Sequence, residues 1–154
     1  MSLFNSVIWQ DGMFMKPHHF QQLERAIQKD RALNAELINP LHWGVRTLEL
    51  DQQLLKVGKF ALAASEGILP DNTPFSFPSL TTAPAPLSIS NEDEGKVVYL
   101  CCPLPSAQQE TYSTGLSLGR YNIAEKEVVD TCYDINSKAT LIVGKLKFYL
   151  KLEG

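Results

Sequence analysis

The hydrophobic period of this chain changes near Pro40, and that change constrains the fold more than any other feature of the sequence. Up to that point, apolar side chains recur at the spacing of an amphipathic helix. The members of this stripe are Phe20, Leu23, Ala26, Ile27, Leu33, Leu37 and Leu41. Pro17 suits the first turn of a helix, and Pro40 disfavours a helical conformation at the residue before it. We therefore predict one amphipathic helix over residues 17–38.

After residue 42 the apolar side chains fall into short runs separated by turn-forming residues. These runs are residues 47–50, 54–63, 75–77, 87–89 and 97–102. Short runs with frequent turn signals are typical of an all-β domain. Between the first two runs, residues 51–53 form a predicted hairpin turn. We expect residues 42–154 to form a β-rich body.

The C-terminal residues show the clearest strand pattern in the chain. Apolar and polar side chains alternate: Leu146, Phe148, Leu150 and Leu152 are the apolar set, and Lys145, Lys147, Tyr149 and Lys151 are the polar set. Such alternation gives a strand one buried face and one exposed face. We predict a single half-buried strand over residues 145–152, with a bulge or bend at Gly144.

Length and charge narrow the functional classes. A chain of 154 residues fits one domain. The formal net charge of -3 provides no general attraction to nucleic-acid phosphates. The sequence shows no signal peptide, and no stretch approaches the roughly 20 apolar residues that span a bilayer. We expect a soluble, cytoplasmic protein that binds no nucleic acid.

The three cysteines do not indicate a disulfide framework. Their number is odd, and Cys101 and Cys102 are adjacent, with Cys132 the third. The adjacent pair continues an apolar run. Packing as small hydrophobic side chains therefore explains these two residues best.

One short pattern matches a hydrolase motif. Residues 115–119 read G-x-S-x-G, the nucleophile elbow, which needs a strand, a tight turn and then a helix. The residues after Ser117 look like a strand instead, at 120–123. All three histidines, His18, His19 and His42, precede the motif, so none follows to complete the triad order of that fold. We predict no catalytic residues and no enzyme activity.

The sequence also lacks a convincing ligand set for a metal ion. His18 and His19 are adjacent near the predicted helix start, so their side chains point about 100° apart and cannot share a metal ion as an i, i+4 pair would. We expect one imidazole to pack or hydrogen-bond near the helix start and the other to be exposed. We predict no metal, no cofactor and no small-molecule substrate.

The first fifteen residues carry an unusual number of large apolar groups, which are costly to leave in water. Two interpretations are open: these groups contact a neighbouring protein, or Trp9 and Phe14 fill the core of their own domain. Our hypothesis is a protein interface, because exposed large apolar groups mark such surfaces. Its predicted residues are Val7, Ile8, Trp9, Met13, Phe14 and Phe20.

The order of residues in the same segment carries a family resemblance. Residues 7–22 read VIWQDGMFMKPHHFQQ, which resembles the opening signature of the TssK family of type VI secretion baseplate subunits. Further segments are similar in the same order: 43–44, 48–51, 58–62, 69–75, 129–131 and 143–146. The resemblance therefore covers nearly the whole chain. His18 stands where the family pattern has Gln, and Asn72 where it has Gly, although Asn tolerates left-handed turn geometry.

The resemblance implies a mainly β fold: an antiparallel β-sandwich-like shoulder domain with one N-terminal amphipathic helix, similar to the shoulders of phage receptor-binding proteins. The expected layout is a single domain over residues 1–154. It comprises an apolar segment (1–16), the helix (17–38) and the β body (42–154), without the neck and C-terminal head of the family.

The implied function is structural. A trimeric adaptor docks onto the TssF/TssG wedge of the baseplate at the cytoplasmic face of the inner membrane, and the head contacts the membrane complex. The alternative function is of a different class: a phage-like carbohydrate- or receptor-binding β module. That function needs aromatic side chains on exposed loops, for which the candidates are Phe75, Phe77 and Tyr112.

Overall fold

The computed structural model describes residues 5–104, 112–113, 119–132 and 136–154. The chain divides into two compact units. Unit 1 comprises Met1–Gly44 and Ile68–Pro74, and unit 2 comprises Val45–Gly67 and Phe75–Gly154. Helix α1 belongs to unit 1, and most of the strands belong to unit 2. Within the described residues, no helix is both long and apolar enough to cross a membrane.

Helix α1 spans Pro17–Ile38, which confirms the predicted bounds. Its start combines Pro17 at the first helical position with an extended Lys16 before it. Its end follows from the extended Asn39, whose N–H donates to Ala35 O at 2.9 Å. The residue before Pro40 is thus held out of the helical conformation, as steric contact with a proline ring requires.

The second segment of unit 1 is a tight turn. The Leu69 N–H donates to Thr73 O at 2.9 Å, and the Asn72 N–H donates to Leu69 O at 2.9 Å. Asn72 has a φ of 64°, in the left-handed region. Asn reaches this region more readily than most residues, so it can stand here in place of glycine.

The rest of the described chain is mainly β. The strands are β1 (Gly44–Leu50), β2 (Lys59–Phe60), β3 (Leu62–Ile68), β4 (Pro74–Phe77), β5 (Leu87–Ser88), β6 (Val98–Cys101), β7 (Tyr112–Ser113), β8 (Tyr121–Val129), β9 (Lys138–Leu146) and β10 (Tyr149–Leu152). The sheet orders are β1-β3-β4, β10-β6, β2-β5 and β7-β8-β9. Antiparallel pairing joins β10 to β6, β2 to β5 and β8 to β9. The predicted mainly β fold with one long N-terminal helix is confirmed.

The segment predicted as one strand over residues 54–63 begins instead as a short helix, α2 (Gln52–Lys56). The predicted hairpin turn at 51–53 is wrong for the same reason. The Asp51 carboxylate accepts hydrogen bonds from the N–H groups of Gln53 and Leu54, at 2.9 and 3.0 Å. This is an N-cap, which satisfies the free donors of a helix start. Gly58, at a φ of 74°, then turns the chain into β2.

Strands β8 and β9 form the longest strand pair for which the described residues give a register. Their nine residue pairs run without interruption from Tyr121 opposite Leu146 to Val129 opposite Lys138. Gly144 lies directly opposite Ile123 in this register, so the predicted bulge at Gly144 is absent. The start of β8 confirms the strand-like interpretation of residues 120–123.

The predicted single strand over 145–152 is divided into the end of β9 and all of β10. Between them, the Lys147 N–H donates to Arg120 O at 3.0 Å. Phe148 leaves the β9 ladder and packs against Phe75 and Phe77, with ring centroids 5.3 and 5.7 Å apart. The strand breaks here because this ring joins an aromatic cluster, a tertiary contact that alternation alone does not reveal.

This aromatic cluster forms the centre of unit 2. Phe77 is only 1% exposed, and Phe75, Ala61 and Leu62 are also buried. Burying a phenylalanine side chain contributes about 1.5–3 kcal/mol. The buried polar groups nearby have partners, since the hydroxyl groups of Ser65 and Thr81 donate to Thr47 O and Leu146 O at 2.9 and 2.6 Å.

Candidate interaction surface

The N-terminal segment of unit 1 is fixed to the start of α1 by polar contacts. The Gln22 side-chain amide donates to Asn5 O at 2.6 Å. Within the segment, the Met13 N–H donates to Gln10 O at 3.3 Å across the turn at Asp11 and Gly12. The segment therefore presents its side chains from a defined backbone.

His19 organises the junction between this segment and α1. The ring Nδ1 of His19 accepts a hydrogen bond from the backbone N–H of Lys16, and the backbone N–H of His19 donates to Lys16 O, both at 3.0 Å. The imidazole also lies beside the Trp9 ring, with centroids 6.2 Å apart. His18 is exposed. This arrangement confirms the prediction that one imidazole bonds near the helix start while the other faces solvent.

The predicted interface residues are mostly exposed on this segment. Phe14 is 80% exposed and Ile8 is 76% exposed, while Trp9 and Phe20 are about half exposed and Val7 and Met13 are partly covered. The alternative interpretation, that Trp9 and Phe14 fill the core of their own domain, is therefore wrong. We call these six residues the N-terminal patch.

A second apolar surface lies at the other end of α1 and was missed by the sequence analysis. Leu37 and Ile38 are 84% and 86% exposed, and Leu41 and Trp43 are also exposed. We call these four residues the C-terminal patch. Helical spacing predicts that Leu37 and Leu41 share a face with the packed residues of α1, because spacing shows only which residues lie on the same face. It does not show how far along the helix the packing extends.

Among the described residues, no group of three or more histidine, cysteine or acidic side chains could hold a metal ion. Cys101, Cys102 and Cys132 are not linked by disulfide bonds. The clearest electrostatic feature lies in unit 2. There, Lys96 Nζ donates a hydrogen bond to Asp93 Oδ1 at 2.8 Å, and the backbone N–H and the hydroxyl group of Ser90 donate to Asp93 Oδ2. These hydrogen bonds lower the pKa of Asp93 to about 2.

Two other predicted features can be located. Residues 115–118 of the G-x-S-x-G pattern lie outside the described residues, and the chain continues into strand β8 rather than the helix that a nucleophile elbow requires. Phe75 and Phe77 are buried, so they do not supply the exposed aromatic groups of a carbohydrate-binding module. The side chain of Tyr112, the third candidate, lies outside the described residues.

Comparison with known proteins identifies the family. The family model described as "Bacterial Type VI secretion, VC_A0110, EvfL, ImpJ, VasE" matches residues 19–154. The chain is also 36% identical over 156 residues to the type VI secretion system baseplate component TssK1 of Pseudomonas aeruginosa, a match that covers 99% of this chain and 35% of that protein. The chain therefore belongs to this type VI secretion family, and it spans about a third of the length of that relative.

Solved structures agree with this assignment. A crystal structure of TssK matches with a TM-score of 0.82 and 39% identity, covering 97% of this chain and 34% of that one. A chain in the cryo-electron microscopy structure of a TssK-TssF-TssG baseplate subcomplex matches with a TM-score of 0.84 and 19% identity, covering 97% of this chain and 51% of that one. The second match shows a shared fold.

Proposed function

We propose that this chain is a structural assembly domain of the type VI secretion baseplate, without enzyme activity. It is the shoulder domain, over residues 1–154, of a trimeric adaptor that docks onto the TssF/TssG wedge. The proposed location is the cytoplasmic face of the inner membrane. The family resemblance implies in addition a neck and a head, and we propose that the head contacts the membrane complex.

The N-terminal patch is the observation that carries this proposal. Phe14 and Ile8 are largely exposed, and the segment that carries them is hydrogen-bonded to α1 at Asn5 and Lys16. Large apolar groups held in fixed, exposed positions typify the centre of a protein interface, where a few such anchors supply most of the binding energy. The family relatives include a protein named as a baseplate component, which supports assembly as the purpose of this surface.

The choice of partner is supported by the shared fold. A chain of the same fold occurs in a subcomplex of TssK, TssF and TssG. For this chain, we assign the N-terminal patch to contacts with the wedge or with a neighbouring subunit. Ring and aliphatic side chains on the patch would enter apolar pockets on the partner, and the exposed charges of α1 would lie at the rim.

The direct test is co-elution with a purified TssF/TssG wedge, measured by light-scattering mass. The 154-residue chain is expected to elute with the wedge as a defined complex. Trp9→Ala combined with Phe14→Ala is expected to weaken that complex at least tenfold, because interface anchors cost 2 kcal/mol or more when truncated. Leu80→Ala is the matched control, because Leu80 is a similarly exposed apolar residue in unit 2.

Two results would count against these assignments in different ways. Unchanged wedge binding and unchanged self-association of the folded Trp9→Ala, Phe14→Ala variant would remove the N-terminal patch from both interfaces. No complex between the wedge and the unmodified chain would contradict wedge docking by this domain itself.

A further inference from the structure

Two strands of unit 2 leave long backbone edges unpaired in the described part of the chain. Strand β1 lies at the end of the β1-β3-β4 sheet, and β9 lies at the end of the β7-β8-β9 sheet. Every other strand at a sheet end has four residues or fewer, whereas β1 has seven and β9 has nine. An unpaired edge of this length presents a row of free N–H and C=O groups that can pair with another chain.

Strand β9 lacks two of the usual protections against such pairing, although it carries a lysine near each end, Lys138 and Lys145. It contains no proline, and its nine pairs with β8 run without a bulge. Apolar groups stand on both of its faces: Ile142 is 75% exposed, and Leu141, on the opposite face, is about half exposed. Within the described residues, β7 pairs with only the first two residues of β8, so most of the β8–β9 pair has two strands, and a two-stranded ribbon gains stability from a further strand.

Strand β1 has matching properties. Its residues 45–49 are all exposed, which leaves both faces of the strand uncovered. Val45 and Leu48 lie on opposite faces and are each more than half exposed. The strand therefore resembles β9 in offering a free edge together with apolar groups above and below it.

One charge on each strand is complementary to one on the other strand. Arg46 of β1 pairs with Glu66 at 3.3 Å, and Lys138 of β9 pairs with Glu127 at 2.9 Å. Each strand has one further charge, Glu49 on β1 and Lys145 on β9, and both are exposed. Neither has an ion-pair partner among the described residues. An acidic group and a basic group thus remain available, one on each free edge.

We propose that β9 of one copy adds as a parallel strand to β1 of the next copy, with Glu49 opposite Lys145. This register aligns all of residues 45–50 with residues 141–146. It sets Val45 beside Leu141 and leaves room for Leu48 beside Gly144. The inference deepens the proposed function, since it rests on the self-association proposed above and names the surfaces that join the subunits.

Pairing of β9 with the β9 strand of a second copy would account for fewer of these features than pairing of β9 with β1. An antiparallel pair of two β9 strands centred on Ile142 would place Lys145 opposite Ala139 and bring no acidic residue of either β9 to the contact. It would also leave both β1 edges uncovered. The pairing of β9 with β1 is heterologous, so each copy uses both of its edges when the assembly closes into a ring.

Edge-blocked variants test the pairing through light-scattering mass. One variant carries Leu141→Lys and Ile142→Lys on β9, and the other carries Val45→Lys and Leu48→Lys on β1. Each places one lysine on each face of an edge, the device that natural edge strands use against pairing. All four positions are exposed, and circular dichroism checks that each variant is folded.

The expected masses are specific to a heterologous contact. The unmodified chain should show three times its mass of 17.2 kDa. Each blocked variant alone should show the mass of one chain. An equimolar mixture should show two chains, because one variant keeps an intact β1 and the other an intact β9. Self-association of the β1-blocked variant alone would indicate β9–β9 pairing and overturn the proposal, as would a monomeric unmodified chain or a mixture that stays monomeric.

A charge reversal tests the register. Glu49→Lys and Lys145→Glu should each weaken self-association by roughly threefold or more, since exposed ion pairs contribute up to about 1 kcal/mol and like charges oppose pairing. The double variant restores one acidic and one basic group at each contact and should recover the unmodified mass. Equal losses in the single and double variants would contradict this register.

The same samples separate this inference from the proposed function. Wedge binding by a blocked, monomeric variant would show that docking does not need the β9–β1 contact, and both proposals would stand. A correct set of masses with no wedge complex would support the subunit contact and contradict wedge docking.

Discussion

The two units of this chain use their apolar residues in opposite ways. In unit 2, Phe75, Phe77 and Phe148 meet in a cluster, and Phe77 is nearly inaccessible to solvent. In unit 1, α1 buries only Ala26 completely, while Phe20 and Ile38 remain exposed. The first arrangement stabilises the fold, and the second leaves apolar surface available for association. Apolar content alone therefore does not distinguish a core from an interface.

The largest effect that separates the two regions should come from Phe77→Ala. Removing this ring leaves a cavity between Phe75 and Phe148, and truncation of a buried phenylalanine costs about 3–5 kcal/mol of unfolding free energy. Denaturant unfolding followed by fluorescence measures the change. Phe14→Ala is the control, since Phe14 is 80% exposed and should change the unfolding free energy by less than about 0.5 kcal/mol. Equal losses in the two variants would contradict the division between core and interface.

A smaller loss of stability is expected at α2. Asp51→Ala removes the carboxylate that accepts from Gln53 and Leu54, and loss of an N-cap costs about 1 kcal/mol. Asp51→Asn is the matched control, because an asparagine side chain keeps an oxygen acceptor and caps about as well. If the two variants lose equal stability, the charge of Asp51 matters rather than its hydrogen bonds.

The C-terminal patch provides the sharpest contrast with the core. Ile38→Ser replaces a side chain that is 86% exposed, so the unfolding free energy should change by less than about 0.5 kcal/mol. Wedge co-elution of the same variant shows whether this surface binds. Loss of the complex in Ile38→Ser but not in Phe14→Ala would move the assigned wedge contact from the N-terminal patch to the C-terminal patch.

The features predicted correctly from the sequence are those that depend on residues close together in the chain. Helix α1 was predicted with its observed bounds because helical spacing and Pro40 act within a few residues. Signals for α2 were also present, since Asp51 is a good N-cap and Gly58 follows the helix end, but the apolar run masked them. The break at Phe148 was not predictable, because it depends on Phe75 and Phe77, which are distant along the chain.

The candidate surface was predicted in part for a similar reason. The N-terminal patch stands out in the sequence because five of its six apolar groups precede the helix, and only Phe20 belongs to the helical stripe. The C-terminal patch does not, since Leu37 and Leu41 continue the helical stripe that suggests burial. Which end of that stripe is covered depends on packing beyond the helix itself, and amphipathic spacing contains no such information.

The last predicted effect concerns a polar contact that belongs to neither apolar region. Asp93 accepts hydrogen bonds from Lys96 and Ser90, which lower its pKa from 3.8 to about 2. A lowered pKa in the folded state means that the unfolded state binds more protons, so stability rises with pH across this window. The contribution is complete above about pH 5 and decreases as the pH falls through 3.8 toward 2. Thermal unfolding midpoints of the unmodified chain and Asp93→Asn should therefore differ at pH 6 and converge near pH 2. A difference that persists unchanged at the lower pH would show that Asp93 acts through its shape and not through its charge.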